Sequence, residues 1–203
     1  MSPGGKASGS PSEGSPADWP PSQAPAGDPE EQARQICLRL LTIAPRTRAQ
    51  LAQALHRRGV PDEAAETVLS RFADVGLIDD AAFARAWVES RHHSRGLSRR
   101  SLSAELRRQG VESEEIREAV ETLDPEQEVA TARRLVEQKM AGTRGQPPEV
   151  RVRRAAGALA RKGYPAGLVF RLIKEVLEQE GSAGAEELEL DPGQYLDPDD
   201  PGE

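Results

Sequence analysis

Between residues 31 and 180 the apolar positions recur at helical spacing, and no stretch alternates as a strand would. The pattern comes three times. Leu55, Gly59 and Val60 return 51 positions later as Leu106, Gly110 and Val111, and 53 positions after that as Leu159, Gly163 and Tyr164. Each glycine follows a basic pair: Arg57-Arg58, Arg107-Arg108, Arg161-Lys162. This is how a helix stops. Glycine just past the last turn adopts the left-handed conformation, and the next residue folds back onto an apolar side chain of that turn. Bases there suit the negative end of the helix dipole. Val60 is thus expected on Leu55, Val111 on Leu106 and Tyr164 on Leu159.

A helix on each side completes the unit. After each glycine comes one apolar face: Ala65, Val68, Leu69, Phe72; then Ile116, Ala119, Val120, Leu123; then Val169, Leu172, Ile173, Val176. Asp62 and Ser113 are the expected N-caps of the first two of these helices, and Pro165 is expected in the first turn of the third. Before each glycine run Leu51 and Leu55, Leu102 and Leu106, Ala155 and Leu159. A further helix opens each unit with Ile36, Leu40 and Leu41, with Phe83 and Trp87, and with Leu135 and Val136. Pro147-Pro148 marks a helix boundary. The expectation is an all-α chain of three tandem three-helix repeats: 31–79, 80–124 and 125–180.

Composition adds the ends. Residues 1–30 and 181–203 are rich in Gly, Pro, Ser and acid, too poor in apolar surface to offset the entropy of ordering, so a disordered leader and a disordered acidic tail are expected. Trp19 is the leader's one large apolar residue, a candidate docking motif. Hydrophobic residues make up 36% and aromatics 3% of the chain, which suits several small helical packings better than one thick globule. The net charge of -7 conceals segregation. The leader holds one base and four acids and the tail eight acids and no base, leaving 26 bases against 22 acids in the body. A basic body with acidic ends points to nucleic acid or a charged protein partner. A single cysteine excludes an internal disulfide, and with no long apolar run or signal region the expected place is the cytoplasm.

The bases are concentrated. Residues 81–110 carry seven arginines (Arg85, Arg91, Arg95, Arg99, Arg100, Arg107 and Arg108) against Glu89 and Glu105. Arg151, Arg153, Arg154, Arg161 and Lys162 form a second run with no acid among residues 150–162. The planar guanidinium pairs with phosphate or carboxylate oxygens, so Arg91, Arg95, Arg99 and Arg100 are the expected centre of a binding patch, flanked by Arg107, Arg108, Arg151, Arg153 and Arg154. The bland alternative is a solvated helix face. Other candidates reduce to structure. His92-His93 point about 100° apart on a helix with no further ligand to complete a metal site. Cys37 belongs to an apolar helix, Asp79-Asp80 to a helix start with Asp80 as cap, and Phe83 and Trp87 to the core between the first two repeats. Phosphate-binding loops, zinc-protease pairs and nucleophile elbows are absent, so neither catalysis nor a cofactor is expected.

Val75-Gly76-Leu77-Ile78-Asp79-Asp80-Ala81-Ala82-Phe83-Ala84 resembles the signature that joins the first two repeats of the RecX family. Leu40 through Leu51 and Gly96 through Val111 are similar to that family too, and the resemblance covers roughly residues 31–180. It implies an elongated, curved body of three-helix repeats. It also implies a non-enzymatic modulator of DNA repair and recombination that binds the RecA–DNA filament and restrains its ATP hydrolysis and strand exchange. The implied partners are the RecA filament and single- and double-stranded DNA, with the chain as a monomer. Two other readings stand beside it. One is a sequence-reading helix-turn-helix protein, disfavoured because its recognition helices would carry Asp62, Glu63, Glu66, Glu114, Glu115, Glu118 and Glu121. The other is a passive helical-repeat adaptor.

Overall fold

A computed structural model describes residues 27–181. Among these, nine helices and no strand are found: α1 (Pro29–Ile43), α2 (Arg48–His56), α3 (Asp62–Asp74), α4 (Asp80–Arg95), α5 (Arg99–Arg108), α6 (Ser113–Glu121), α7 (Pro125–Ala141), α8 (Pro148–Ala160) and α9 (Ala166–Gln179). The expected tails and Trp19 lie outside the described residues.

Every substantial helix–helix packing joins members of one triad, α1–α3, α4–α6 or α7–α9. Each triad encloses its own apolar core. The second helix supplies the centre: Leu51 and Leu55, Leu102 and Leu106, Ala155 and Leu159 are all fully buried. Burying one such leucine is worth about 2–3 kcal/mol. The third helices bury the expected faces, except that Val120 is only partly covered.

The glycine stops are built as expected. Gly59, Gly110 and Gly163 have φ of 71°, 81° and 84°. Backbone N–H groups of Val60, Val111 and Tyr164 donate to the carbonyls of Leu55, Leu106 and Leu159, at 3.2 Å in each case. All three residues are buried.

The helix starts differ from expectation. Asp62 and Ser113 do not cap; they are the first residues of α3 and α6, whose N-cap positions are Pro61 and Glu112, without side-chain hydrogen bonds. Pro165 is likewise the N-cap position of α9 rather than part of its first turn. Asp79, not Asp80, caps α4, accepting from the Ala82 N–H at 2.7 Å. In the opening helices the buried rows are Ala33–Cys37 and Ala84–Val88. Ile36, Leu40 and Leu41 flank the first row half-buried, and Phe83 and Trp87 flank the second. Phe83 and Trp87 therefore cover the core of the second triad and not a core between triads. Burial pushes the Cys37 thiol up, away from the reactive thiolate.

One asymmetry sets the third triad apart. Thr47 and Ser98 cap α2 and α5 with their own side chains. The aligned residue 53 positions beyond Ser98 is Arg151, which lies inside a helix, because α8 starts about one turn early at Pro148.

Candidate partner-binding surface

Successive triads meet through the same device used twice: the N-terminus of one second helix sits on the C-terminus of the next. At the first joint, Thr47 Oγ1 accepts from Gln50 N–H (3.2 Å) and donates to the Gln109 carbonyl (2.7 Å). Arg48 N–H donates to Asp80 Oδ1 at 2.9 Å, which gives Asp80 its role across the joint. A β-carbon on Gly110 would overlap that of Ala49. At the second joint Ser98 N–H donates to the Lys162 carbonyl (3.0 Å), and Arg99 N–H to Glu128 Oε1 (2.9 Å). A β-carbon on Gly163 would stand 2.6 Å from Ser98 Oγ and nearer still to Ser101 Oγ. Gly59 has nothing within 4 Å of the same position.

The second joint carries further braces. Tyr164 Oη donates to the Gly96 carbonyl at 3.0 Å, and burial, then the Glu128 charge, pushes its pKa up to about 12. His92 bridges Leu97 O (2.9 Å, through Nδ1) and Thr131 Oγ1 (3.1 Å, through Nε2). A carbonyl only accepts, so Nδ1 bears the proton there.

The electrostatics of the two joints are opposite. Around the first, burial raises the pKa of Asp80 and Glu115; the Asp80 charge adds at Glu115 and the Asp79 and Glu112 charges add at both, partly countered at Asp80 by Arg48 and at Glu115 by a backbone hydrogen bond at Glu112. At the second, burial and then the cations Lys139 and Arg95 hold Lys162 below the ordinary lysine range. The Lys162 ammonium donates to the Arg95 carbonyl and the Lys162 carbonyl accepts the Ser98 N–H, bringing the C-terminal ends of α4 and α8 to the start of α5.

The nine expected binding arginines fall into two groups. Arg95, Arg100, Arg107, Arg108, Arg153 and Arg154 are exposed. Arg91, Arg99 and Arg151 are engaged in the fold, and exposed Arg95 also stands 4.0 Å from Glu105. Arg91 lies over the Trp87 ring, 4.3 Å from its centroid and 4.0 Å from Glu105, whose carboxylate also accepts the Trp87 Nε1–H at 2.9 Å. Phe83 stacks on the same indole with 5.5 Å between centroids. Arg99 is half-buried, donating to the Leu123 carbonyl and standing 3.5 Å from Glu128. Arg151 is buried, pairs with Glu180 at 2.6 Å and donates to the Met140 carbonyl at 3.1 Å. Of the expected centre, Arg95 and Arg100 are thus exposed, and Lys162 lies against the Arg95 carbonyl. Lys139 was missed, because nothing local in the sequence ties α7 to these bases.

Glu66, Glu114, Glu118 and Glu121 are exposed on α3 and α6, where Arg117 pairs with Glu114 and Glu121. Among the described residues no group of three or more His, Cys, Asp or Glu is placed to hold a metal ion, and no helix is long and apolar enough to cross a membrane.

Comparison with known proteins follows the triads. Family models for the first, second and third three-helix domains of RecX match residues 33–72, 79–120 and 126–173. The chain is 60% identical over 162 residues to the protein named regulatory protein RecX of Thermobifida fusca, covering 80% of this chain and 88% of that one. It is 61% identical over 157 residues to the protein of the same name in Streptomyces coelicolor, covering 77% and 84%. A crystal structure of a regulatory protein RecX superposes with a TM-score of 0.64 at 25% identity, over 73% of this chain and 72% of that one. The crystal structure of RecX from Lactobacillus salivarius, at 16% identity and a TM-score of 0.67, covers 73% of this chain and 97% of that one and supports the fold.

Proposed function

The chain belongs to the RecX family of regulatory proteins, and on that premise we propose that it binds the RecA–DNA filament and restrains ATP hydrolysis and strand exchange there. It acts by binding and not by catalysis, as a monomer in the cytoplasm and without a cofactor. The observation that carries this reading is the basic cluster at the second joint, where the Lys162 ammonium donates to the Arg95 carbonyl and burial, then the Lys139 and Arg95 charges, hold it below the ordinary lysine range. Cations held at that density lose mutual repulsion when an anionic surface arrives, whether DNA phosphate or an acidic protein face. Exposed Arg100 stands at the same end of α5, exposed Arg107 and Arg108 lie at its other end by the first joint, and Arg153 and Arg154 lie on α8. The acidic α3 and α6 suit a placement away from phosphate.

The test is single-stranded-DNA-dependent ATP hydrolysis by RecA with substoichiometric amounts of this protein. Strong inhibition that survives added DNA supports action on the filament over sequestration of DNA. No inhibition at any ratio, with helix content intact, overturns the reading.

A further inference from the structure

α3 ends on the same kind of glycine stop as α2, α5 and α8. Gly76 has a φ of 71°. Its N–H donates to the Ala73 carbonyl at 2.9 Å, and the Leu77 N–H donates to the Phe72 carbonyl at 2.8 Å. At the other three stops the residue after the glycine folds back and is buried, as Val60, Val111 and Tyr164 are. Here it is displayed. Leu77 is 49% exposed, and Val75, just before the glycine, is 70% exposed. The fold-back is made one residue later by Ile78, whose N–H also donates to the Phe72 carbonyl (3.2 Å) and whose side chain joins the first core. The core is closed without Val75 and Leu77.

The ends of the other third helices show no such pair. α6 passes to α7 through Thr122-Leu123-Asp124 with Leu123 buried, and α9 is followed by Glu180 and Gly181. Among the described residues the large apolar side chains most open to solvent are Leu38, Ile43, Val75 and Leu77, all in the first triad or the turn that leaves it. Apolar residues scattered singly over a surface need no explanation. Val75 and Leu77 are not scattered. They flank a glycine with nothing within 4 Å of its β-carbon position, on a turn held by its own hydrogen bonds. Together they make a fixed apolar knob.

The charges around the knob decide what it meets. Asp74 and Asp79 are exposed on its two sides in the sequence. The bases tied to this region are taken: Arg71 pairs with Glu30 at 2.8 Å, and Arg48 pairs with Glu66. An apolar knob edged by acid repels phosphate. It matches the usual layout of a protein interface, an apolar centre with a charged rim, provided the facing rim carries bases.

We propose that Val75 and Leu77 form the contact to the protein component of the filament, entering an apolar cleft whose basic rim meets Asp74 and Asp79. Retention on bare DNA is then the work of the basic surfaces alone. This inference rests on the function proposed above and divides it between two faces of the molecule.

The test compares the full chain carrying Val75→Ser and Leu77→Ser with the parent. The concentration for half-inhibition of RecA should rise about tenfold or more, with helix content and retention on single-stranded DNA without RecA unchanged. Inhibition equal to the parent's overturns the contact and leaves the proposed function standing. A parent that does not inhibit RecA overturns the function, and the contact with it. Loss of DNA retention in step with inhibition also overturns the contact. A second measurement keeps both side chains in place. Exposed Ala73 is replaced, Ala73→Cys, and labelled with a benzophenone maleimide; Cys37 is fully buried, so the label goes to the introduced cysteine. Irradiation on the assembled filament should give an adduct with RecA. Adducts only with DNA or with a second copy of this chain, or none while the labelled chain still inhibits, overturn the contact.

Discussion

The two joints between triads share a backbone and differ in charge. Each sets a Thr or Ser cap on the carbonyl end of the next second helix, brings a backbone N–H to an acid at the start of the following helix, and needs glycine at the point of closest approach. Yet the first gathers Asp79, Asp80, Glu112 and Glu115, while the second gathers Arg95, Lys139 and Lys162 and adds the Tyr164 and His92 bridges. The geometry therefore belongs to the scaffold, and the charge is what differs between the two joints.

The shared geometry is the part most sharply exposed to mutation. Gly110→Ala and Gly163→Ala should each cost about 3 kcal/mol, combining a left-handed residue with a β-carbon that has no room. Gly59→Ala, facing open space, should cost only about 1 kcal/mol. Urea unfolding of the three variants measures this, and equal losses at all three would remove close approach as the reason for glycine.

The charge difference should govern function. Replacing Arg95, Arg100, Lys139 and Lys162 together by Ala should raise the concentration for half-inhibition of RecA more than tenfold, about 1.4 kcal/mol. Arg117→Ala, on the acidic α6, should leave it unchanged. Inhibition equal to the parent in the fourfold variant would disconnect the basic surface from activity.

The extra bracing at the second joint is worth less. Tyr164→Phe strips a hydrogen bond from the buried hydroxyl–carbonyl pair and should cost about 1 kcal/mol in thermal or urea unfolding.

The smallest effect is the pH response of the first joint. Burial raises the Asp80 and Glu115 pKa values above the ordinary 3.8 and 4.5, so the folded chain takes up these protons at higher pH than the unfolded chain. Their contribution to stability is fully present below the ordinary values and is lost as pH rises through the folded ones. The Asp80→Asn, Glu115→Gln variant should therefore gain relative to the parent at pH 7 and lose that advantage towards pH 4. Urea midpoints at both pH values read it. An advantage that grows on acidification would reverse the sign.

The triads were legible because their signals are local. The Leu–Gly–apolar stop at 55–60, 106–111 and 159–164 is written within one turn of helix. The caps of α3 and α6 were misplaced by one residue, since acid beside a helix start favours the dipole whether or not it caps. The fate of the arginines needed long-range contacts. Arg151 looked like one more base in a basic run, although a signal was present: it stands four and eight residues before Ala155 and Leu159, on the buried row of α8. Nothing comparable in the sequence announces that Arg99 would be held by Glu128 and the Leu123 carbonyl, residues more than twenty positions away.

The early start of α8 also fixes how far the array counts. Each joint is made by offering a capped second-helix N-terminus to the following repeat, and the third repeat offers instead a longer helix with Arg151 tied inward to Glu180. A duplicated copy appended after α9 would find no seat. A copy inserted ahead of α1 would meet Gly59, its left-handed turn already formed and uncovered. The chain can grow by duplication from one end only, and its terminator is one turn of helix.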